Sequence, residues 1–432
     1  MDRKKIAYKN ISFSFLLKIL NMGIVYLTIP FLLKFLGDTS YGIWVTIFSV
    51  INIIFFIDGG IINGLKTKLT QAISSNDIKQ ARIYISSSYL IISGISFVFL
   101  LLGVIGIKFT NLSNLLNTFS VPENDLKGVF LICLFFIVFN FILSIYKSLF
   151  YSIQKVAFVE LAMFIYQVIV FGSVYYVYEN FSSSIVTIAY IYGLANLVVG
   201  VFFTILFFSK RLQLLPSIRL MKLSNLNGMF KLSIEFFLIQ LSMIVIYTSD
   251  NILISNVLGP EYVARFDVVF KLFQVIITIS VLLMEPFWPL FSDAYEKREI
   301  KWIRNIFNKY NKLFILFIAG VFIFSTLINP ILSLWVGEIY KVDLTFLVIM
   351  SFFVIIRVYP VLYMYFLNGI GNMKRQVILY VLGAILNIPI SIFLVNHFNL
   401  GIKGIVLGTI ISIFLMTILL PIKSYAILKS ND

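Results

Sequence analysis

The chain has 432 residues, of which 60% are hydrophobic and only 12% charged. Soluble domains carry about 25% charged residues, so the composition excludes a soluble globular protein and points to an all-α, polytopic membrane protein. The net charge of +15 follows membrane topology rather than a basic surface patch, which argues against nucleic acid as a partner.

Apolar runs long enough to cross a bilayer, about 20 residues each, occur twelve times. They cover approximately 11–35, 41–63, 83–107, 128–150, 157–178, 185–208, 230–255, 263–290, 311–335, 344–367, 376–396 and 403–422. The first run is too long for a cleavable leader and lacks a small-residue cleavage site. It reads as a first span behind a basic tail of Arg3, Lys4, Lys5 and Lys9. The N-terminus, the even-numbered connections and the C-terminal tail hold 24 of the 34 Lys and Arg residues; the other connections and their edges hold six. By the positive-inside bias both termini are expected in the cytoplasm, with attraction to anionic membrane lipid as a by-product.

The longest inner connections are 209–229, 291–310 and 64–82. The first divides the chain into an N-terminal six-helix lobe (1–208), a cytoplasmic linker (209–229) and a C-terminal six-helix lobe (230–432). Six spans per lobe is an even number, so the lobes form a parallel repeat. Leu36-Gly37 matches Leu258-Gly259 at an offset of 222, and Lys9 matches Lys231. The segment around Gln167 matches that around Asn387 at an offset of 220. The largest outer connection, 108–127, is polar and can form a small amphipathic piece, and no loop can hold a folded enzyme domain. The single cysteine, Cys133, excludes an intrachain disulfide. The single histidine, His397, is read as an interfacial residue in a short connection.

Polar stripes interrupt the first two spans of each lobe. Ser14, Lys18, Asn21 and Thr28 are followed 222 positions later by Gln240, Met243, Tyr247 and Asp250. Ser49, Asn52, Phe56 and Asn63 are followed at the same offset by Lys271, Gln274, Thr278 and Glu285. Their spacing puts each set on one helical face. A charge facing lipid at mid-bilayer costs roughly 3 kcal/mol or more, so these faces are expected to border a polar cavity.

Lys18 stands about 10 Å into its span at helical rise. It either snorkels to the headgroups or binds an anion, and its own span offers no carboxylate. Lys271 follows Asp267 by one turn, so an i, i+4 ion pair competes with anion binding. Asp250 and Glu285 are candidates for H⁺ or Na⁺ coupling, or else neutralise Lys18 and Lys271. Glu285 precedes Pro286, where a kink is expected. Asp58 lies off the stripe and is read as structural. Arg357, deep in span ten, needs a partner or water. Lys147 shares a face with Asn140, Ser144 and Gln154 in span four and either packs internally or lines a cavity. No GxxxxGK[ST] loop, Cys/His metal spacing or His/Ser/Asp set is present, so no ATP hydrolysis, metal, cofactor or catalysis is expected. Energy must come from an ion gradient, the membrane potential or the substrate gradient.

Ordered landmarks along nearly the whole chain carry a resemblance. They are Pro30-Phe31-Leu32, Leu36-Gly37, Tyr41-Gly42 with Trp44, Asp250-Asn251-Ile252, Leu258-Gly259 and Pro286-Phe287-Trp288-Pro289. Leu367-Asn368-Gly369-Ile370-Gly371, Asn387-Ile388-Pro389, Gly401-Ile402-Lys403-Gly404 and Gly408-Thr409 complete them. The chain resembles the Wzx flippases for O-antigen and capsular polysaccharide, within the multidrug/oligosaccharidyl-lipid/polysaccharide exporter superfamily. The resemblance implies two lobes forming a V, with spans one, two, seven and eight lining the cavity. It also implies a bacterial inner-membrane location and an undecaprenyl-diphosphate-linked oligosaccharide as substrate. A glycan polymerase and a chain-length regulator are the implied partners. Lys18 and Lys271, then Arg357, suit the diphosphate; Asn21, Asn52, Gln240, Tyr247 and Gln274 suit sugar hydroxyls. The alternatives are a cation-coupled drug antiporter of the same superfamily, which would need a carboxylate in the N-terminal lobe, where Asp58 is the one read as available, and a membrane glycan polymerase, which would need a larger outer loop. A major-facilitator transporter would need a GxxxDRxGRR-like loop where Asn63-Gly64-Leu65-Lys66-Thr67-Lys68 stands.

Overall fold

A computed structural model describes residues 3–57, 61–220 and 234–430. These residues form α-helices with short 3-10 turns, and no strand. Lipid offers no hydrogen-bond partners to backbone groups, so each spanning segment satisfies its N–H and C=O groups along its own axis. Eleven helices among the described residues are long and apolar enough to cross a membrane. The first of these, Phe13–Ile51, has 39 residues, about 58 Å at helical rise against a hydrocarbon core of about 30 Å. It breaks at Gly37 (φ 73°, ψ 165°) and accounts for two crossings, which brings the total to the expected twelve. The chain divides into two compact units, Met1–Phe237 and Leu238–Asp432.

The first unit contains α1 (Arg3–Ile57), α2 (Ile61–Ser74), α3 (Ile78–Phe109), α4 (Leu112–Leu115), α5 (Glu123–Leu143), α6 (Ile145–Ser152), α7 (Val156–Asn180) and α8 (Ile185–Ser209). α1 packs chiefly on α7, and α5 packs on α8 and α3. The expected 64–82 connection is largely helical. Leu65, Leu69 and Ala72 on α2 are buried, and their i, i+4, i+7 spacing sets an apolar stripe against α3 and α6. The expected amphipathic piece in 108–127 is the single turn α4. Its first amides, Leu112 N–H and Ser113 N–H, donate to the Glu123 carboxylate at 2.9 and 2.7 Å. The start of the 209–229 connection docks on α3: Arg82 Nε donates to the Leu215 carbonyl at 2.6 Å, and Ser217 N–H donates to Ser86 Oγ at 2.9 Å. Gln154 leaves the face of span four assigned to it, because the helix has ended and its φ is +58°.

The second unit contains all but the first turn of α9 (Ile234–Leu258), then α10 (Pro260–Met284), α11 (Phe287–Glu296), α12 (Ile300–Trp335), α13 (Leu344–Val358), α14 (Val361–Gly369), α15 (Lys374–Phe398) and α16 (Ile402–Lys429). The series repeats that of the first unit. Gly259, the equivalent of Gly37, also has positive φ (119°) between the first two spans. The fourth span of each unit is split, at Ser144 in α5–α6 and at Tyr359-Pro360 in α13–α14. Pro286 ends α10 as expected, and the 291–310 connection is mostly helix, α11 giving way to α12. α15 and α16 approach closely: a Cβ on Gly408 would lie 2.7 Å from Ser391 Cα, and one on Gly383 would lie 2.9 Å from the Ser412 carbonyl oxygen. Small residues at such crossings let helix backbones pack without lipid between them. His397 belongs to the last turn of α15 rather than to a connection, stacked on Phe393 one turn earlier with ring centroids 5.2 Å apart. Its helix runs on because no Gly or Pro lies between Phe393 and Asn399, which caps it in the left-handed region.

Candidate functional site

In the first unit the stripe of α1 faces α7. Ser14 and Thr28 are buried, and the Thr28 hydroxyl turns back to the Ile24 carbonyl at 2.7 Å. Lys18 Nζ lies 3.7 Å from Oε1 of Glu160, a buried carboxylate on α7. Span one has no acid of its own, but a neighbouring span supplies one, which periodicity along a single helix cannot reveal. Asn21 Oδ1 is buried without a hydrogen-bond partner among the described residues. The side chains of Asn52, Phe56 and Asn63, and all of Asp58, lie outside the described residues. Lys147 lines a cavity of about 300 Å³ inside this unit, walled also by Trp44, Asn140, Tyr166 and Tyr192.

In the second unit three helices bring Arg357, Tyr247 and Gln274 together. Arg357 stands in the last turn of α13. Its Cζ sits 4.0 Å from the ring centroid of Tyr247 on α9 and 5.6 Å from that of Phe353. Its Nη1 donates to Gln274 Oε1 on α10 at 3.4 Å, while Gln274 Nε2 donates to Thr278 Oγ1 at 3.3 Å. Aromatic faces and an amide oxygen thus hold the guanidinium, a cation–π arrangement favoured when water is excluded. Arg357 forms no ion pair among the described residues, though the buried Asp250 carboxylate lies within electrostatic reach of it. Lys271 and Asp267 make the expected i, i+4 ion pair on α10. Gln240 is half-buried one helical face along from Tyr247, and Glu285 is exposed at the end of α10.

A buried polar chain ends on Asp250. Ser249 Oγ donates to Asn387 Oδ1 at 3.0 Å, Asn387 Nδ2 donates to Thr409 Oγ1 at 3.0 Å, and Thr409 Oγ1 donates to Asp250 Oδ1 at 2.9 Å. Asn387 lies on α15 and Thr409 on α16, so three helices converge on one carboxylate. A carboxylate removed from water needs partners; here the Thr409 hydroxyl donates to it and the Arg357 guanidinium lies within electrostatic reach. Asn387 entered the sequence reading as a repeat and family landmark, Thr409 only as a family landmark, and Glu160 did not enter it. The signal available for all three was a polar residue inside an apolar run.

Comparison with known proteins follows the same lines. The sequence model for the family described as polysaccharide biosynthesis protein matches residues 7–295, and that described as MatE matches residues 236–393. A Salmonella typhimurium protein named O-antigen transporter is 25% identical over 427 residues, 97% of this chain and 96% of its own length. A Yersinia pseudotuberculosis protein named O-antigen export protein is 28% identical over 185 residues, 42% of each chain. Among solved structures, the inward-facing conformation of a multidrug resistance MATE family transporter of the MOP superfamily aligns with a TM-score of 0.77 at 16% identity, covering 95% of both chains. At that identity the likeness is one of fold.

Proposed function

Because this multi-pass membrane chain belongs to the polysaccharide biosynthesis protein family, we propose that it is a flippase for undecaprenyl-diphosphate-linked oligosaccharide repeat units. It moves them from the cytoplasmic to the outer leaflet of the bacterial inner membrane, with both termini cytoplasmic and the two units alternating access. The observation that carries this reading is Arg357. A guanidinium inside a membrane span, held by Tyr247 and Gln274 and without an ion pair among the described residues, is suited to a diphosphate, which accepts two parallel hydrogen bonds from it. Lys271 and Lys18 each have a carboxylate at hand, so they serve the substrate by exchanging partners. Gln240, Asn21 and Asn52 are assigned to sugar hydroxyls.

Asp250 is assigned to H⁺ or Na⁺ coupling. Its neighbours Thr409 and Asn387 can relax around either a protonated acid or a bound cation, since hydroxyl and amide groups offer both donor and acceptor atoms. Glu285 and Asp267 are lesser candidates, one being exposed and the other ion-paired with Lys271.

The test is deletion of the gene in its host, followed by localisation of lipid-linked oligosaccharide. Single repeat units trapped on the cytoplasmic leaflet, with surface glycan lost, are expected. Complementation with Arg357→Gln is expected to leave export at least tenfold down while the protein accumulates normally. Normal surface glycan in the deletion strain overturns the reading. One observation favours the drug antiporter as a second reading: Glu160 is a buried carboxylate in the first unit, of the kind such an exporter needs. Raised sensitivity to cationic drugs in the deletion strain, with glycan intact, is the result that selects it.

A further inference from the structure

Only six basic residues lie in or beside the connections opposite the termini, and three of these six, Arg265, Lys341 and Lys403, meet in one pocket of about 410 Å³ in the second unit. Each arrives by a separate connection. Arg265 stands in the second turn of α10, after the Gly259 break. Lys341 follows the 3-10 turn Glu338–Tyr340, and Lys403 lies in the first turn of α16. The positive-inside bias keeps Lys and Arg scarce at this end, and gathering them in one place costs mutual repulsion.

Neutralisation is incomplete. Lys403 Nζ lies 2.7 Å from Asp343 Oδ2 in the pocket wall, and Lys341 Nζ lies 2.8 Å from Glu338 Oε1. Arg265 forms no ion pair among the described residues. The remaining walls include the rings of Tyr262 and Phe346. Leu344, next to Asp343, and Ile339, two residues before Lys341, are 68% and 62% exposed. Cations inside an aromatic wall with an apolar rim match an amphiphile that has an anionic head. A phosphate takes charge-assisted hydrogen bonds from guanidinium and ammonium groups, while its hydrocarbon lies along the apolar rim.

We propose that the pocket of Arg265, Lys341 and Lys403 binds the phosphate headgroup of a membrane lipid at the outer face. The outer placement rests on the orientation in the flippase reading; the binding does not. Two sources share this chemistry: the polyprenyl diphosphate carrier after it has crossed, and a resident anionic phospholipid.

The full chain is to be placed in phosphatidylcholine nanodiscs containing either undecaprenyl diphosphate or phosphatidylglycerol. Retained lipid is then read by native mass spectrometry. The measurement is made in an Arg357→Gln background, so that the deeper cation does not contribute. Retention of undecaprenyl diphosphate identifies the carrier as the occupant, and retention of phosphatidylglycerol alone identifies a resident lipid. In both cases Arg265→Gln is expected to lower retention about tenfold, and the triple variant with Lys341→Gln and Lys403→Gln to abolish it. Arg265→Gln breaks no ion pair among the described residues, so it separates binding from folding. Equal retention by Arg265→Gln and its parent, or no retention of either lipid by the parent, overturns the proposal. Normal glycan in the deletion strain would sink the flippase reading alone and leave this measurement standing.

Discussion

At the scale of single residues, the membrane-embedded charges differ in how they are compensated. Lys18 faces Glu160, Lys271 faces Asp267, and Arg357 faces rings and an amide. Removing one member of a pair strands the other in a low dielectric. Lys18→Met is therefore expected to destabilise the protein by about 1–2 kcal/mol, less than the 3–5 kcal/mol of a fully buried pair because Lys18 is over a third exposed. The double variant Lys18→Met, Glu160→Leu is expected to recover most of that loss. Thermal unfolding in detergent of the two single variants and the double variant checks it: a double variant as unstable as the sum of the singles would deny the pair. Asp343, outside the spans, offers a pH test. Partial burial raises its carboxyl, and the Lys403 ammonium with backbone amides more than offsets this, holding it below the usual carboxylate range. A folded value below the unfolded one means that its contribution is complete above about pH 4 and is lost as pH falls through the folded value. The difference in Tm between the wild type and Asp343→Asn is therefore expected at neutral pH and should vanish in strong acid. A difference independent of pH would mean that the ion pair with Lys403 is not its source.

At the scale of elements, glycines decide where helices stop and how closely they pack. Gly37 has open space where a Cβ would go, so Gly37→Ala meets only the cost of a backbone conformation (φ 73°, ψ 165°) that is essentially confined to glycine, about 1–3 kcal/mol. Gly408 has ordinary helical geometry, but a Cβ on it would lie less than 3 Å from the backbone of Ser391. Gly408→Ala must push α15 and α16 apart, an overpacking of about 1–3 kcal/mol, and Gly408→Leu is expected to prevent accumulation. Unfolding temperatures of the two alanine variants, with membrane levels of the leucine variant, test this. A Gly408→Leu protein that accumulates normally would show that the α15–α16 contact yields. The polar chain from Ser249 to Asp250 crosses this same helix pair, so spreading α15 and α16 should also disturb the carboxylate.

At the scale of the whole molecule, the two units repeat one series of spans, with a glycine break after the first and a split fourth. Repeated lobes are a common basis for alternating access. In the proposed cycle the carboxylate of Asp250 ties transport to a cation. Asp250→Asn is expected to leave binding of the lipid-linked substrate unchanged while its flux in vesicles no longer responds to an imposed H⁺ or Na⁺ gradient. Flux in the variant that still follows either gradient would move coupling to Glu285 or Asp267.

The sequence by itself determined the all-α membrane class, the twelve crossings and the match of Gly37 with Gly259. These depend on run length, hydropathy and local backbone freedom, which are properties of neighbours along the chain. The i, i+4 pair of Asp267 and Lys271 was legible for the same reason. Only the tertiary structure decided that Glu160 meets Lys18, that Tyr247 and Gln274 hold Arg357, and that Thr409 and Asn387 enclose Asp250. It also decided that three scarce basic residues share one pocket. Each of these joins side chains from different helices. Their meeting depends on helix rotation and crossing, which packing sets and a one-dimensional pattern does not encode.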